Sequence, residues 1–415
     1  MSVHSMRNVA PRLRRLLSNY GVAGAARVLT HRMLLKRLIP IARPIALRRL
    51  TKWLQEDTEQ LTFLIRSSLD ADYPYRQRVH HIAEELAHQG QRVVFITPST
   101  GHDKVIITSH VSENLMVTPH GEAAIVAAQR PIYLALSTDA TLSQSEIDQV
   151  IQRKGFIIYD YIDHMDDGVS SHPLSEERLR LHDQILADQE NVLVLASADA
   201  LLRDVATRRS RNMLLVTNGV EVERFKGIAR ERAGLRADFA HILTRSRPIL
   251  GYYGSLASWF DYGLVRRLAE ARPGYDVVLI GPDLDGTGSA LAQGPSNLFV
   301  LPAMRYEELP RHAAWFDVCL VPFIINDVTL ATSPLKIFEY MALGRPTVST
   351  DLPECRKYQS VFTAAPDEFA ATCDHALTLE GPAFRETAQL ESEENSWGKK
   401  VDAIVRSITG AACKR

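Results

Sequence analysis

Short apolar runs alternate with helical patterns along two stretches of the chain, residues 62–217 and 248–349. In the helical patterns, apolar residues recur every three or four positions. This alternation is typical of a parallel sheet covered by helices on both faces. The predicted strands are Thr62–Ser67, Arg92–Thr97, Val105–Thr108, Ile132–Leu136, Gly155–Tyr159, Asn191–Ala196 and Met213–Thr217, then Ile249–Tyr253, Asp276–Ile280, 298–301, Val318–Pro322 and 346–349.

The two stretches predict an α/β protein with two doubly wound, Rossmann-like domains that face each other across a cleft. Such sheets bind ligands at the carboxyl ends of their strands, and 415 residues are enough for two domains of ordinary size. The predicted segments are a basic helical extension (1–56), a first domain (57–225), a second domain (226–394) and a C-terminal helix that packs back toward the first domain (395–415).

The charge of the chain is unevenly distributed. Residues 1–55 contain twelve Arg or Lys and no Asp or Glu, so the rest of the chain carries −13 against a total of −1. Within this segment, apolar residues follow helical spacing with basic residues between them. A basic amphipathic helix is typical of a membrane-surface element, because burial of apolar area and attraction to anionic headgroups act together. The apolar positions are Leu13, Leu16, Leu17 and Tyr20, then Leu34, Leu35 and Leu38, then Leu47, Leu50 and Leu54.

Contact with an anionic membrane is the preferred interpretation of residues 1–55, by a small margin. The alternatives are helices packed on the body of the protein with a solvated arginine face, and an organellar transit peptide. Nucleic-acid binding is not expected, because no aromatic residues for base stacking are interleaved with the basic ones. No run of 18 apolar residues occurs, so a membrane-spanning helix is not expected either.

The four cysteines give no sign of zinc binding or of a disulfide scaffold. They are scattered through the C-terminal half and contain no C-x-x-C pair. This usage favours a reducing compartment, and the expected location is the cytoplasm, at the inner face of the membrane. The residues are Cys319, Cys355, Cys373 and Cys413.

The segment Val318–Thr350 contains the most informative helix. Ser333 is a good N-cap, Pro334 suits the first helical position, and Gly344 suits the position after the last turn. The positive end of this helix would then point at the cleft, where it suits an anion such as a diphosphate. Lys336 could neutralise phosphate, and Glu339 on the same face could accept hydrogen bonds from a ribose diol. The structural alternative is an ordinary surface ion pair between these two side chains.

The string from Ser333 to Val348, SPLKIFEYMALGRPTV, resembles the donor-site signature of GT-B glycosyltransferases, in particular the family-four-like enzymes of bacterial teichuronic-acid and exopolysaccharide assembly. Further matching segments follow in the right order, so the resemblance covers roughly residues 60–405. They are Tyr73–His81, Ile158–Asp163, Asn191–Ala198, Thr217–Val220 with Phe225, Gly251–Ser255 with Trp259–Asp261, Val278–Pro282, Pro322-Phe323 with Asn326 and Thr329, and Ser396-Trp397.

The resemblance implies a nucleotide-sugar donor linked to UDP or GDP, held without a metal or other cofactor. It places Glu339 on the ribose and Lys336 on the diphosphate, and Gly254 would let backbone N–H groups approach phosphate. The full set of donor-binding candidates is Gly254, Ser255, Pro282, Asn326, Thr329, Ser333, Lys336 and Glu339.

The chain departs from the family pattern at two places. Many family-four enzymes have a second glutamate eight residues before the ribose-binding one, where this chain has Ala331. They also commonly carry an arginine and a lysine where this chain has Ser255, Ser258 and Asp261. We therefore expect rearranged contacts to the sugar and the phosphates, and leave open whether the reaction retains or inverts the anomeric centre. Asp283-Leu-Asp285 has metal-site spacing but is expected to be ordinary turn chemistry.

Catalytic candidates follow the predicted strand that ends at Tyr159. An inverting enzyme needs a base to deprotonate the acceptor, and Asp160, Asp163 and His164 are the candidates. In a retaining enzyme they would only orient the sugar, and the structural alternative is an acidic turn. Acceptor phosphate could be contacted by Arg76, His80 and His81 around the first helix of the domain.

The predicted function is transfer of a sugar to an acceptor hydroxyl in cell-surface polysaccharide or exopolysaccharide assembly, on a lipid-linked or oligosaccharide acceptor. The alternatives are a nucleotide-sugar epimerase on the same fold and a non-catalytic sugar-nucleotide-binding subunit. An epimerase would convert the nucleotide sugar without an acceptor.

Overall fold

The computed structural model describes residues 34–35, 37–56, 61–99, 102–139, 141–165, 174–291, 293–379 and 381–412. The predicted amphipathic pattern of residues 13–20 lies outside them. Counting described residues only, the chain forms two compact units. The smaller unit contains the chain up to Tyr73, Leu86–Leu134 and Thr141–Phe156, and the larger contains Pro74–Glu85, Ala135–Ala140 and the chain from Ile157 onward.

The strands form two sheets, and the strand bounds agree closely with the apolar runs of the sequence. The strands are β1 Thr62–Arg66, β2 Arg92–Ile96, β3 Ser109–His110, β4 Leu115–Thr118, β5 Ile132–Leu136, β6 Phe156–Tyr161, β7 Val192–Ala196, β8 Met213–Leu215, β9 Ile249–Tyr253, β10 Asp276–Ile280, β11 Leu298–Leu301, β12 Val318–Val321, β13 Thr347–Thr350 and β14 Val361–Ala364. The first sheet has the order β3-β4-β2-β1-β5-β6-β7-β8 and the second β11-β10-β9-β12-β13-β14.

The second sheet is parallel throughout, whereas β3 pairs antiparallel with β4 in the first. The helices that accompany the strands are α1 (37–55), α2 Arg78–His88, α3 Gly121–Ala127, α4 Gln144–Gln152, α5 Glu176–Ala187, α6 Asp199–Ala206, α7 Val222–Phe225, α8 Ala237–Ile242, α9 Tyr262–Ala271, α10 Thr287–Leu291, α11 Leu309–Ala313, α12 Asp327–Leu330, α13 Leu335–Ala342, α14 Phe369–Thr378, α15 Pro382–Glu394 and α16 Trp397–Ala412.

Three stretches differ from the sequence-based prediction. The predicted strand Val105–Thr108 is not a strand; the edge of the sheet is instead formed by β3 and by β4, whose four residues are all buried. Residues 218–247, between the predicted strands of the two sheets, carry the short helices α7 and α8, which the sequence pattern does not predict. The stretch 351–394, for which no elements are predicted, contains β14, α14 and α15.

The start of the C-terminal helix pairs with the segment that follows β8. Val220 pairs with Ser396 in an isolated parallel bridge, and the Trp397 N–H donates to the Val220 carbonyl at 3.0 Å. Gly219 permits this approach, because a Cβ at this position would lie 2.7 Å from the Asn395 carbonyl oxygen. Trp397 is buried at the start of α16.

Helix α1 buries one face and exposes the other. Ala46, Leu50 and Trp53 are buried, and the Arg92 guanidinium lies 4.8 Å above the Trp53 ring. The predicted apolar positions Leu50 and Leu54 therefore pack on the body of the protein. A second apolar stripe with helical spacing is exposed and consists of Leu34, Ile41 and Ile45. Within the described chain, no helix is long and apolar enough to cross a bilayer.

Candidate functional site

Helix α13 follows β12 and a loop, as the sequence predicts, but it begins one residue later than expected. Pro334 is the N-cap and Leu335 the first helical residue, so Ser333 does not cap the helix. The proline ring and an extended backbone at this position start the helix without a side-chain cap. The Ser333 hydroxyl instead accepts a hydrogen bond from the Asn218 N–H at 3.3 Å. At the other end, Gly344 has φ +68° and its N–H donates to the Met341 carbonyl at 2.8 Å, which fits the predicted glycine stop.

A pocket of about 800 Å³, including the space at its mouth, lies at the carboxyl ends of β9 and β10 and at the start of α13. Five of the eight predicted donor-binding residues line it, and so does Arg76 of the predicted acceptor set. The predicted residues in the lining are Gly254, Ser255, Pro282, Lys336, Glu339 and Arg76, and their neighbours there include Tyr75, Gln77, Tyr252, Tyr253, Trp259 and Tyr306.

Glu339 is almost fully buried, with 1% of its surface exposed. Its Oε2 accepts a hydrogen bond from the Tyr253 hydroxyl at 2.6 Å. Burial raises the pKa of Glu339 to about 7, although the hydrogen bond from Tyr253, the neighbouring Tyr306 hydroxyl and the charge of Lys336 act in the opposite direction. The pocket therefore contains a carboxyl group that changes charge near neutral pH.

Lys336 enters the same pocket from one turn earlier on α13. Its ammonium lies 5.2 Å from the centre of the Tyr252 ring and 5.0 Å from that of Phe323. Burial lowers the pKa of Lys336 to about 8, while the charge of Glu339 raises it. The surface ion pair expected from the structural alternative is absent, since Lys336 is shielded by aromatic rings and Glu339 is bonded to a tyrosine. A cation held in this way is available to an anionic ligand.

Gly254 makes room for that lysine. Its φ of +140° lies in the region that favours glycine, and a Cβ there would lie 2.9 Å from both the Lys336 Cε and the Tyr252 hydroxyl. The residue therefore sets both the path of the loop after β9 and the position of the amine.

Three predicted donor-binding residues lie outside the pocket lining. Asn326 and Thr329 cap the short helix α12: the Thr329 N–H donates to Asn326 Oδ1 at 2.9 Å, and the Asn326 N–H donates to Thr329 Oγ1 at 3.0 Å. Ser333 is buried against Asn218, whose amide also donates to the Ser333 carbonyl at 2.6 Å. These contacts give the three residues structural roles.

Asp160 is placed differently from the other two catalytic candidates. It is completely buried, and both of its oxygens bond the Arg78 guanidinium, at 2.7 and 3.0 Å. The same arginine donates to the Thr217 carbonyl at 2.9 Å. Both oxygens of Asp160 are occupied by the guanidinium and neither is exposed, so the hypothesis that Asp160 is the base gives way to a structural role.

Asp163 and His164 follow β6 and are half-buried. The Thr332 hydroxyl donates to Asp163 Oδ1 at 3.2 Å, which places this carboxyl group beside the segment that leads into α13. Burial raises the pKa of Asp163 to about 7, and the Thr332 hydrogen bond opposes that shift. His164 Nδ1 lies 3.4 Å from the Tyr161 hydroxyl. Of the three candidates, Asp163 has the environment that suits an acid or base near neutral pH.

Two of the predicted acceptor-binding residues are packed inside the protein. His80 is buried and its Nδ1 accepts from the Gln77 N–H at 3.1 Å. His81 stacks on Trp397 at 5.3 Å, and burial lowers the pKa of His81 to about 3. Both therefore have structural surroundings, whereas Arg76 lines the pocket and pairs with Glu84 at 2.7 Å.

The Asp283-Leu-Asp285 pattern belongs to a turn, as predicted. Asp283 Oδ1 accepts from the backbone of Gly286 at 2.9 Å, and Asp285 Oδ1 accepts from the Thr287 N–H at 2.9 Å and the Tyr262 hydroxyl at 3.0 Å. Across the described chain, no group of three or more His, Cys, Asp or Glu side chains is arranged to hold a metal ion.

Comparison with known proteins extends these observations. Residues 247–379, which contain β9–β13 and α13, match the model of the family described as glycosyl transferases group 1. The segment that forms the second sheet is therefore similar in sequence to the glycosyl transferases of group 1. This confirms the resemblance inferred from the string around Lys336 and Glu339.

A curated relative points to the same family. The chain is 26% identical over 217 residues to TuaH of Bacillus subtilis (strain 168), a protein assigned as a teichuronic acid biosynthesis glycosyltransferase. The match covers 49% of this chain and 53% of TuaH, so the chain spans about half the length of that relative.

Solved structures with the same fold include Anabaena Alr3699/HepE in complex with UDP, at a TM-score of 0.60 and 14% identity over 85% of this chain and all of that one. The α,α-trehalose 6-phosphate synthase of Burkholderia multivorans matches with a TM-score of 0.60 and 12% identity, over 86% of this chain and 99% of the other. These likenesses concern the fold, and they confirm the predicted GT-B architecture.

Proposed function

We propose that the protein is a GT-B glycosyltransferase that moves a sugar from a nucleoside-diphosphate sugar to an acceptor hydroxyl. The observation that carries this proposal is the presence of Lys336 and Glu339 in one pocket beside Gly254, at the carboxyl ends of β9 and β10. The amine and the start of α13 suit a diphosphate, and the buried carboxylate suits a ribose. The family match over 247–379 supports the same assignment.

The arrangement favours departure of the diphosphate from the anomeric carbon. Negative charge develops on the leaving group as the acceptor hydroxyl attacks, and fixed positive groups stabilise that charge best where water is excluded. Lys336 and the N–H groups at the start of α13 supply these groups from this chain. We propose a reaction that needs no metal, with UDP or GDP as the leaving group. UDP is favoured because the Anabaena neighbour was solved with UDP and with UDP-glucose.

Asp163 is the proposed proton acceptor if the product has the inverted configuration. Its near-neutral pKa and its contact with Thr332, two residues before Pro334, support this role. The test is Asp163→Asn, with turnover and UDP affinity measured separately and the anomeric configuration of the product determined by NMR. Loss of turnover by about 100-fold or more at unchanged UDP affinity supports a base. Unchanged turnover, or a retained configuration, contradicts it.

We further propose that the enzyme works at the inner face of a membrane, on a lipid-linked or oligosaccharide acceptor of surface polysaccharide assembly. The exposed side of α1 supports this: Ile41 and Ile45 are 75% and 51% exposed, with Arg37 and Arg48 exposed on the same side. Apolar area flanked by arginines suits anionic lipid. The polysaccharide pathway named for TuaH supports the acceptor class.

The membrane proposal is tested by cosedimentation with phosphatidylglycerol vesicles. We expect Ile41→Ser/Ile45→Ser to lower vesicle binding about 30-fold, since each of the two exposed aliphatic side chains that inserts contributes on the order of 1 kcal/mol. Leu390→Ser, which changes an equally exposed side chain on α15, serves as the control. Equal binding by the two variants would contradict the proposal, and UDP titration of each variant shows whether the donor site is intact.

The donor assignment is tested by calorimetric titration with UDP, GDP and their sugar conjugates. Glu339→Ala should weaken binding of the preferred nucleotide by about 10- to 100-fold, because it removes a charged hydrogen-bond acceptor. Glu307→Ala, at an exposed glutamate that pairs with Arg305, should leave it unchanged. An unaltered affinity in Glu339→Ala would contradict the assignment. Product analysis without acceptor separates a transferase from an epimerase, because only an epimerase would convert the nucleotide sugar alone. The comparisons with known proteins give no support for an epimerase.

A further inference from the structure

Two buried polar atoms in the donor pocket have no well-oriented hydrogen bond to any described residue. They are Oε1 of Glu339 and the hydroxyl of Tyr306. Glu339 is 1% exposed and Tyr306 4% exposed, and both line the same pocket. Leaving a buried polar atom without a partner costs about 1–3 kcal/mol. Two such atoms beside one another at a pocket point to a polar group of the ligand.

The two atoms are close neighbours. Burial raises the pKa of Tyr306 well above its ordinary value, and the charge of Glu339 is the next largest cause. The Tyr306 hydroxyl in turn lowers the pKa of Glu339. A ligand group that enters here therefore meets the carboxylate and the phenol together.

The Tyr306 ring is fixed from several sides. The His81 and Phe225 rings pack edge-on against it, at 5.3 and 5.8 Å between centres. The Tyr306 N–H donates to the Pro74 carbonyl at 3.1 Å. The hydroxyl consequently has a set position over the pocket, and His81, expected from the sequence to contact the acceptor, supports a donor-side residue instead.

The Glu339 carboxylate is fixed from the other side by Tyr253. The Tyr253 hydroxyl donates to Oε2 at 2.6 Å, and the Tyr253 N–H donates to the Tyr340 hydroxyl at 3.1 Å. Since Oε2 is engaged in this way, Oε1 is the oxygen left for a ligand. Tyr253 therefore determines which face of the carboxylate the pocket presents.

We propose that the Tyr306 hydroxyl is a second ligand of the donor's ribose, that Tyr253 is a positioning residue for Glu339, and that the pair Tyr306–Glu339 selects ribonucleotides. The inference rests on the proposed function. A ribose hydroxyl can donate its hydrogen to Glu339 Oε1 and accept from the Tyr306 hydroxyl, so one group satisfies both atoms. A deoxyribose that lacks this hydroxyl would leave both atoms unpaired, which sites of this kind reject strongly.

The experiment compares UDP, 2′-deoxy-UDP and 3′-deoxy-UDP by calorimetry; GDP and its deoxy analogues are used if GDP binds more tightly. We expect wild-type protein to bind one deoxy analogue at least about 10-fold more weakly than the parent nucleotide. Tyr306→Phe should weaken binding of the parent nucleotide by about 5- to 10-fold and binding of that analogue by less than about twofold. The preference for the parent nucleotide over the analogue is then largely lost. Tyr262→Phe removes a hydroxyl that bonds Asp285 outside the pocket lining, and should change none of these affinities.

Equal weakening of all three nucleotides by Tyr306→Phe, or no weakening, would overturn the role of Tyr306. A wild-type protein that binds neither UDP nor GDP would overturn the proposed function as well, so the two failures are distinguishable. The melting temperature of the free protein gives an independent readout. Removing a hydroxyl that has no well-oriented hydrogen bond should raise the melting temperature by about 2 °C, whereas removing a structural hydrogen bond would lower it.

The positioning role of Tyr253 has its own readout. Its hydrogen bond lowers the pKa of Glu339, so Tyr253→Phe should move the midpoint of the pH dependence of UDP binding upward. A weaker affinity with an unmoved midpoint would show that Tyr253 only packs in the core, and would overturn this part of the proposal.

Discussion

Asp160, near the end of β6, and Glu339, in the middle of α13, are both buried carboxyl groups, but their surroundings are opposite. Asp160 is enclosed by the Arg78 guanidinium, with both oxygens bonded. Glu339 has one oxygen on a tyrosine and the other without a well-oriented partner, and its pKa is raised to about 7. A buried carboxylate that is paired with a cation has a structural role. A buried carboxylate without such a cation is available to bind a ligand.

The largest expected effect comes from removing the cation that pairs with Asp160. Arg78→Met leaves Asp160 buried without its cation and should lower the free energy of unfolding by about 3–5 kcal/mol. Urea unfolding measures the change. Arg76→Met, which removes the half-exposed pair with Glu84, should lower it by less than about 1 kcal/mol. Similar losses of unfolding free energy in the two variants would contradict the view that burial makes the Arg78–Asp160 pair more stabilising than the Arg76–Glu84 pair.

Glu339, which has no such ion pair, should make the free energy of unfolding depend on pH. Because the pKa of Glu339 rises from 4.5 to about 7 on folding, the native state keeps a proton that the unfolded chain releases. The free energy of unfolding should therefore fall as the pH rises from about 4.5 to about 7, by about 3 kcal/mol from this group. Denaturation of wild type and Glu339→Gln across this range isolates the contribution. Parallel curves would contradict the raised pKa.

The smallest expected effect tests a residue that the sequence assigns to the donor site and the structure assigns to a helix cap. Asn326→Ala removes the cap of α12 and should lower the free energy of unfolding by about 1 kcal/mol. Calorimetry should show no change in UDP affinity. A loss of affinity comparable with that of Glu339→Ala would place Asn326 among the ligands after all.

Helix α13 could be predicted because its sequence signals are local. Pro334, Lys336, Glu339 and Gly344 lie within eleven residues, so spacing alone places the amine and the carboxylate on one face. The bounds of β5, β9 and β10 could be predicted for a similar reason, since each is a short run that is almost entirely apolar and almost entirely buried.

The residues that complete the site depend on contacts between distant parts of the chain. Tyr253 is 86 residues from Glu339, and Arg78 is 82 residues from Asp160. No pattern in the sequence marks either partner, because a tyrosine after a strand or an arginine at a helix start is common. The same limit explains why Asp160 was ranked with Asp163: both follow an apolar run, and only the tertiary structure shows which one meets a cation.

The backbone at Gly254 restricts how this pocket can diverge during evolution. Any larger residue would meet the stem of Lys336 and the Tyr252 hydroxyl at once, so a mutation there would displace the cation and distort the loop together. Changes in donor preference are therefore expected at other lining positions around it, such as the half-buried Ser255 and Trp259. A library randomised at those two sites, with glycine kept at 254, is the natural starting point for altering the transferred sugar.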